Sequence, residues 1–231
     1  MSPAAATARR PARKSGDSAA DATVDPRRLR TQALADARRA LVLEAARSAF
    51  FELGMDKTSI REIAQRAGYT PGALYSYFAS KEDVYGALLG ESLARLDAQV
   101  RSAAGAAAAG APRLRAAAGA FFDFYRANPR DLDLGFYLFQ GMKPRGLTPE
   151  LNDALNARLL QALQPCRDEL RRLGMPAAAA LQEVTALFAH AVGLLVLSHT
   201  GRIRMFRQDS AGLFRRYLDQ LVERAGAHEG S

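Results

Sequence analysis

Between Thr58 and Phe78 the chain carries hydroxyls, small residues and tyrosines in an order that could present a hydrogen-bonding surface to base edges: Thr58-Ser-Ile-Arg-Glu-Ile-Ala-Gln-Arg-Ala-Gly-Tyr-Thr-Pro-Gly-Ala-Leu-Tyr-Ser-Tyr-Phe78. Thr58 and Ser59 supply hydroxyls that can cap a first helix. Ile60, Ile63, Ala64 and Ala67 recur at spacings of three and four, and Gly68 can close that helix in the left-handed conformation. Thr70 can cap a second helix, with Pro71 in its first turn, where a missing N–H costs nothing. Leu74 and Phe78, four apart, form the buried stripe of that helix and leave Thr70, Gly72, Ala73, Ser76 and Tyr77 facing outward. Two short helices joined by a tight glycine turn make a helix-turn-helix, whose second helix fits the DNA major groove. Short or aromatic outward side chains permit close approach to base edges. Capped helix pairs also occur in helical domains of any function, so the flanking elements must decide.

An amphipathic helix, Ala40 to Leu53 and closed by Gly54, is predicted before the pair. Ser80, Lys81, Glu82 and Asp83 follow it as a helix start with acidic residues in the first turn. With Ala46, Phe50, Gly54, Thr58, Ile60, Ile63, Ala64, Ala67, Gly68, Gly72, Leu74, Tyr75, Tyr77, Phe78, Lys81 and Glu82 in order and without gaps, the segment resembles the tetracycline-repressor (TetR) family of bacterial transcription regulators. The resemblance covers the N-terminal third. It departs at Tyr69, where a small aliphatic residue is usual, and at Thr70-Pro71, where Ser and a variable residue are commoner, which leaves the base preference open.

The resemblance implies an all-α fold: a three-helix DNA-binding domain with the helix-turn-helix, then a larger helical bundle for ligand binding and dimerisation. The expected division is a disordered basic tail (1–30), the DNA-binding domain (31–80) and the effector and dimerisation domain (81–231). By family position Thr58, Tyr75 and Lys81 hold phosphates, while Arg61, Thr70, Ala73, Ser76 and Tyr77 are candidates for bases. Ser59, Pro71 and Gly72 complete the expected DNA-contacting set.

At 231 residues with 48% hydrophobic content, the chain has ample material for a packed core. The longest apolar run, Val184 to Leu197, is interrupted by His190 and falls short of the roughly 18–20 residues that cross a bilayer, so it reads as a buried helix and no membrane association is expected. The Ala-, Arg- and Ser-rich start lacks the apolar core of a secretory signal, which points to the cytoplasm. A single cysteine, Cys166, permits no internal disulfide, and its preferred reading is a buried spectator thiol. Formal net charge is +8, as expected of a chain that meets polyanions. Residues 1–34 carry net +4 through Arg9, Arg10, Arg13, Lys14, Arg27, Arg28 and Arg30, whereas residues 35–90 are balanced. Two readings of residues 1–25 stay open: a disordered arm that adds phosphate or minor-groove contacts, or a solvated tail.

Further along, a connecting helix is expected from Ser80 to about Arg101, a flexible or frayed stretch from Ser102 to Pro112, and then a helix to about Ala127 stopped by Asn128-Pro129. A short helix from Leu132 to Gln140, one from Thr148 to Leu173, one from Ala177 to His199 and a last one from Ser210 to Ala225 follow. Arg202, Arg204 and Arg207 are expected in a solvated loop. No segment alternates with period two, so no sheet is predicted.

Seven of the 18 aromatic residues fall between Phe121 and Phe139. They serve either as ordinary core or, with the family resemblance, as the wall of a pocket for a small hydrophobic effector. The expected lining is Phe121, Phe124, Tyr125, Phe136, Tyr137, Phe139, Phe188 and His190. For the four-helix homodimer interface that the family implies, the expected residues are Phe188, Val192, Leu195, Leu213, Phe214, Tyr217 and Leu221. The predicted partners are therefore double-stranded DNA with a palindromic operator, an effector of unknown identity and a second copy. Neither metal-ligand spacing nor a phosphate-cradling glycine loop nor a nucleophile motif occurs in the sequence, so no cofactor, no metal and no enzymatic activity are expected. The alternative is a helical protein-interaction adaptor without specific DNA binding.

Overall fold

The computed structural model describes residues 25–136 and 147–227, and every regular element among them is helical. The chain divides into two compact units, residues 1–38 and 39–231, and helix α1 (Pro26–Leu53) has residues in both. α1 starts well before Ala40. Residues 26–30, expected in the unstructured tail, are therefore helical, and the expectation of a disordered 1–30 segment is corrected over them; residues 1–24 lie outside the described residues.

In the first unit the described helix is held by local bonds. The Asp25 carboxylate accepts the Arg27 N–H at 3.0 Å, the Thr31 hydroxyl donates to the Arg27 carbonyl at 2.9 Å, and Gln32 donates to Asp36 at 2.9 Å.

The second unit is a helical bundle with a continuous apolar core. From α1 it takes Val42, Ala46 and Phe50, all buried. α2 (Ile60–Ala67) adds Ile63, and α3 (Pro71–Tyr75) adds Leu74. The connecting helix α4 (Lys81–Ala106) runs five residues past the expected end, because Ser102–Ala106 is rich in alanine, the best helix former. α5 (Ala111–Ala127) follows, and its carbonyl end is covered by Asn128, whose amide donates to the Phe124 carbonyl at 2.8 Å. α6 (Pro129–Phe136) starts at the proline; the remainder of the expected helix to Gln140 falls outside the described residues.

The helix expected from Thr148 to Leu173 is two helices, α7 (Pro149–Ala162) and α8 (Gln164–Arg172). Pro165 has no N–H for the preceding turn and breaks the ladder at Leu163. α9 (Ala177–His199) has the expected bounds. At 23 residues the whole helix is by length and composition apolar enough to cross a bilayer, yet it packs against α5, α8 and α10 as a bundle helix. A 3₁₀ turn (Arg202–Phe206) occupies the expected loop, and α10 (Ser210–Gly226) closes the chain, capped by Asp209.

α4 and α7 approach each other closely at two glycines. A methyl group on Gly86 would lie 2.7 Å from Leu151 Cδ2, and one on Gly90 would lie 2.6 Å from an Arg158 guanidinium nitrogen, so glycine at both positions lets these side chains lie against the α4 backbone.

Candidate nucleic-acid interface

The helix pair is built by its caps. Ser59 Oγ accepts the Glu62 N–H at 3.2 Å and opens α2. Gly68, at φ 73°, ends it: the Gly68 N–H reaches the Gln65 carbonyl at 3.2 Å and the Tyr69 N–H reaches the Ala64 carbonyl at 2.9 Å. Thr70 Oγ1 then accepts the Ala73 N–H at 3.3 Å and starts α3, with Pro71 in its first turn. α3 is short. It ends at Tyr75, with Tyr77 and Phe78 N–H groups both directed at the Leu74 carbonyl, whereas the sequence pattern carried it to Phe78.

Leu74 is fully buried and anchors α3, while Thr70, Pro71, Gly72, Tyr75 and Ser76 are exposed. Beyond its chain neighbours and its own helix backbone, no heavy atom among the described residues lies within 4 Å of where a Gly72 Cβ would stand, so the space above that backbone is open. Ala73 and Tyr77 are half-buried, and Tyr77 packs against the core. The Ser76 hydroxyl donates to the Ala73 carbonyl at 2.6 Å, leaving its oxygen free to accept. Arg61 is exposed and enters none of the ion pairs among the described residues.

Thr58 lies inward of the others. It is only 2% exposed, and its hydroxyl donates to the Ala49 and Gly54 carbonyls at 3.2 and 2.7 Å. It ties the end of α1 to the start of α2 and is shielded from solvent, whereas Ser59, next to it, is the exposed cap. Lys81 is half-buried, its ammonium donating to the Met55 carbonyl at 2.8 Å.

Two arginines that the sequence reading did not single out hold this surface in place. Arg66 bonds Glu62 and Glu52, each at 2.7 Å, and Ser48 at 3.2 Å, stapling α2 to α1. The hydrogen bond from Arg66 holds the Glu52 carboxyl below its ordinary range. Arg39 lies over the Phe78 ring at 4.8 Å. The Glu62–Arg66 spacing of four is visible in the sequence; the partners on α1 are set only by the fold.

Aromatic residues on α5, α6 and α9 form a connected set. Phe121 meets Tyr125 (5.3 Å between centroids) and Phe188 (6.0 Å), and Phe136 meets both Tyr125 (5.8 Å) and Phe188 (5.6 Å). Phe124 packs on Tyr125 at 5.2 Å. Burial, with the Asp131 charge second, raises the Tyr125 phenol above its ordinary value. Tyr137 and Phe139 lie outside the described residues.

His190 is not part of this set. It stacks on Tyr217 at 4.3 Å, with Phe214 beyond, and desolvation lowers its pKa. Two open clefts, of about 420 and 530 Å³, lie respectively along Arg115, Phe122, Phe214 and Leu218 and along Phe51, Pro129, Arg130 and Asp133. Neither is lined by any of the residues expected around the effector.

The expected dimer set also divides. Leu195, Phe214 and Leu221 are 0–2% exposed and belong to the core of the single chain, where Phe214 stacks on Phe122 at 4.4 Å. Phe188, Val192, Leu213 and Tyr217 are half-buried. Cys166 is fully buried, and burial pushes its thiol up to about 12.

Residues 42–88 match the family of bacterial regulatory proteins described as tetR, and residues 114–221 match the tetracyclin repressor-like C-terminal domain. The chain belongs to the TetR family. Among TetR relatives, the HTH-type transcriptional activator FasR of Mycolicibacterium smegmatis is 40% identical over 89 residues, which are 38% of this chain and 41% of FasR. The HTH-type transcriptional repressor KstR2 of Mycobacterium tuberculosis is 44% identical over 54 residues, 23% of this chain and 27% of KstR2. These alignments span less than half of either relative. The TetR fold itself extends further: FadR of Bacillus subtilis, solved with stearoyl-CoA, superposes over 79% of this chain and 97% of its own at a TM-score of 0.62 and 18% identity. PfmR of Thermus thermophilus superposes over 78% and 93% at 0.59 and 24% identity.

Proposed function

We propose that the protein is a ligand-responsive, DNA-binding transcriptional regulator that acts in the cytoplasm as a homodimer on a palindromic operator. The observation that carries this reading is the exposed edge of α3: Thr70, Gly72, Tyr75 and Ser76 stand clear of the core on a helix anchored from behind by Leu74. Residues 31–80 serve the DNA, and residues 81–231 serve the effector and the second copy. Arg61, Thr70, Ala73, Ser76 and Tyr77 meet bases, while Ser59, Pro71, Gly72, Tyr75 and Lys81 support the backbone register. Two copies of α3 enter successive major grooves about 34–36 Å apart.

The partner copy docks on the outward side of α9, where Leu181, Thr185 and Ala189 are exposed at spacings of four beside half-buried Val192, and on Leu213 and Tyr217 of α10. A hydrophobic effector binds next to Phe121, Phe124, Tyr125, Phe136 and Phe188. An acyl thioester is the first class to test, because the FadR relative was solved with stearoyl-CoA. Differential affinity for two arrangements of α4 then releases the operator. Both an activator and a repressor occur among the relatives; release by effector favours repression.

Selection from random duplexes followed by footprinting tests the reading. A protected two-fold site supports it, and absence of any preferred site supports the adaptor alternative. Sedimentation as a monomer at micromolar concentration removes the dimer. Thermal stabilisation by palmitoyl- or stearoyl-CoA supports the effector class, and no shift with a wider hydrophobic panel removes the pocket.

A further inference from the structure

α1 begins sixteen residues ahead of the segment that matches the TetR DNA-binding family, at Pro26 as against Val42. Its first part carries arginines in a one-sided pattern. Positions 27, 30, 31, 34 and 38 fall at spacings i, i+3, i+4, i+7 and i+11, which share one face of an α-helix. That face holds Arg27, Arg30, Thr31, Leu34 and Arg38, all exposed.

Asp25 and Asp36 lie on the other side of the helix, and both are engaged locally, Asp25 by the Arg27 N–H and Asp36 by Gln32. No ion pair or side-chain hydrogen bond among the described residues involves the guanidinium of Arg27, Arg30 or Arg38. The arginines nearer the core differ: Arg39 covers Phe78, Arg47 pairs with Glu44, and Arg66 is held by Glu52 and Glu62.

We infer that the helical arm from Asp25 to Arg38 is a second, sequence-independent DNA-binding surface that grips phosphates through Arg27, Arg30 and Arg38. The stripe is about 16 Å long at 1.5 Å per residue. Duplex DNA offers about one negative charge per 1.7 Å of axis, so several phosphates lie within reach of such a stripe. A helix that binds a membrane surface or a partner helix needs a continuous apolar side. Between residues 25 and 38 the side that carries Arg27, Arg30 and Arg38 holds Leu34 as its one large apolar residue, while Leu29 points away from it, so the polyanion is the fitting partner of that side. The guanidinium fork donates two parallel hydrogen bonds to a phosphate, which suits arginine over lysine in this role. The inference rests on the DNA-binding reading and adds to it a contact that helps affinity without choosing sequence.

The test compares the full chain with the triple variant Arg27→Gln, Arg30→Gln and Arg38→Gln, glutamine being a good helix former that keeps the arm helical. Binding to a random-sequence 30-base-pair duplex is titrated across salt concentrations, with circular dichroism as the check on folding. The triple variant is expected to flatten the slope of log K against log salt by about 2–3, since each lost phosphate contact removes about 0.9. Arg28→Gln, on a different face, is expected to flatten it by less than about 0.5. A slope unchanged in the triple variant overturns the inference, as does an Arg28→Gln loss equal to that of each stripe arginine. So does a triple variant that loses binding to phosphatidylserine vesicles while keeping its DNA slope. A wild-type chain that selects an operator while the triple variant keeps its slope retains the regulator and loses the arm. A wild-type chain that binds no duplex removes both.

Discussion

The helix pair from Ile60 to Tyr75 and the aromatic bundle around Phe121 and Phe214 use the same residue types to opposite ends. In the helix pair a single buried side chain, Leu74, holds α3, and its other side chains stay half-buried or exposed. In the bundle, Phe121, Phe122, Phe124 and Tyr125 on one helix are all at most 3% exposed. A surface built to read a ligand of fixed shape is kept rigid by caps and ion pairs at its edges, while a region packed aromatic on aromatic is held from its interior. The difference sets where each region breaks.

The bundle yields the largest expected effect. Phe122→Ala removes a ring stacked on Phe214 and should cost about 3–5 kcal/mol in urea unfolding. A loss under about 1 kcal/mol would mean that the bundle repacks freely. In the helix pair, Leu74→Ala should cost about 2–5 kcal/mol and abolish operator binding while most of the helical signal in circular dichroism survives. Arg61→Ala should leave the melting temperature unchanged and cost about 1–3 kcal/mol on the operator, relaxing preference at one base position. An equal loss on random duplex would reassign Arg61 to the backbone. Ser59→Ala deletes a cap and should lower stability by about 1 kcal/mol.

The smallest effect belongs to His190. Its pKa lies below the ordinary histidine value in the folded chain because burial disfavours the imidazolium. The unfolded chain therefore binds this proton first as pH falls. The contribution to stability is full above the ordinary histidine range near 6.5 and declines as pH drops through it. Melting curves between pH 8 and 5 should fall less steeply for His190→Phe than for the wild type, and parallel curves would place the pH dependence elsewhere.

Legibility in the sequence follows the same contrast. Helix ends written in local chemistry were readable: Ser59, Gly68, Thr70 and Ser80 cap or close helices as their types and spacing require. α9 kept its bounds because Pro176 precedes it and Gly201 follows it. Placement across the fold was not readable. Thr58 has the side chain of a phosphate ligand, yet its hydroxyl is spent on two carbonyls, one of them nine residues away at Ala49. Proximity in sequence groups His190 with Phe188, but two residues along a helix turn a side chain away by about 160°, and it stacks instead on Tyr217. Both aromatics of α10 meet their own chain, Phe214 on Phe122 and Tyr217 on His190: an apolar stripe says that something covers it, not which chain does. The break at Leu163 was available in Pro165 and lay hidden inside an otherwise regular helical pattern.

Where α4 passes α7, Gly86 and Gly90 leave a shallow trough that Leu151 and Arg158 fill. A side chain added at either glycine would have to push Leu151 or Arg158 off the α4 backbone, so the closeness of this contact depends on two positions without a Cβ.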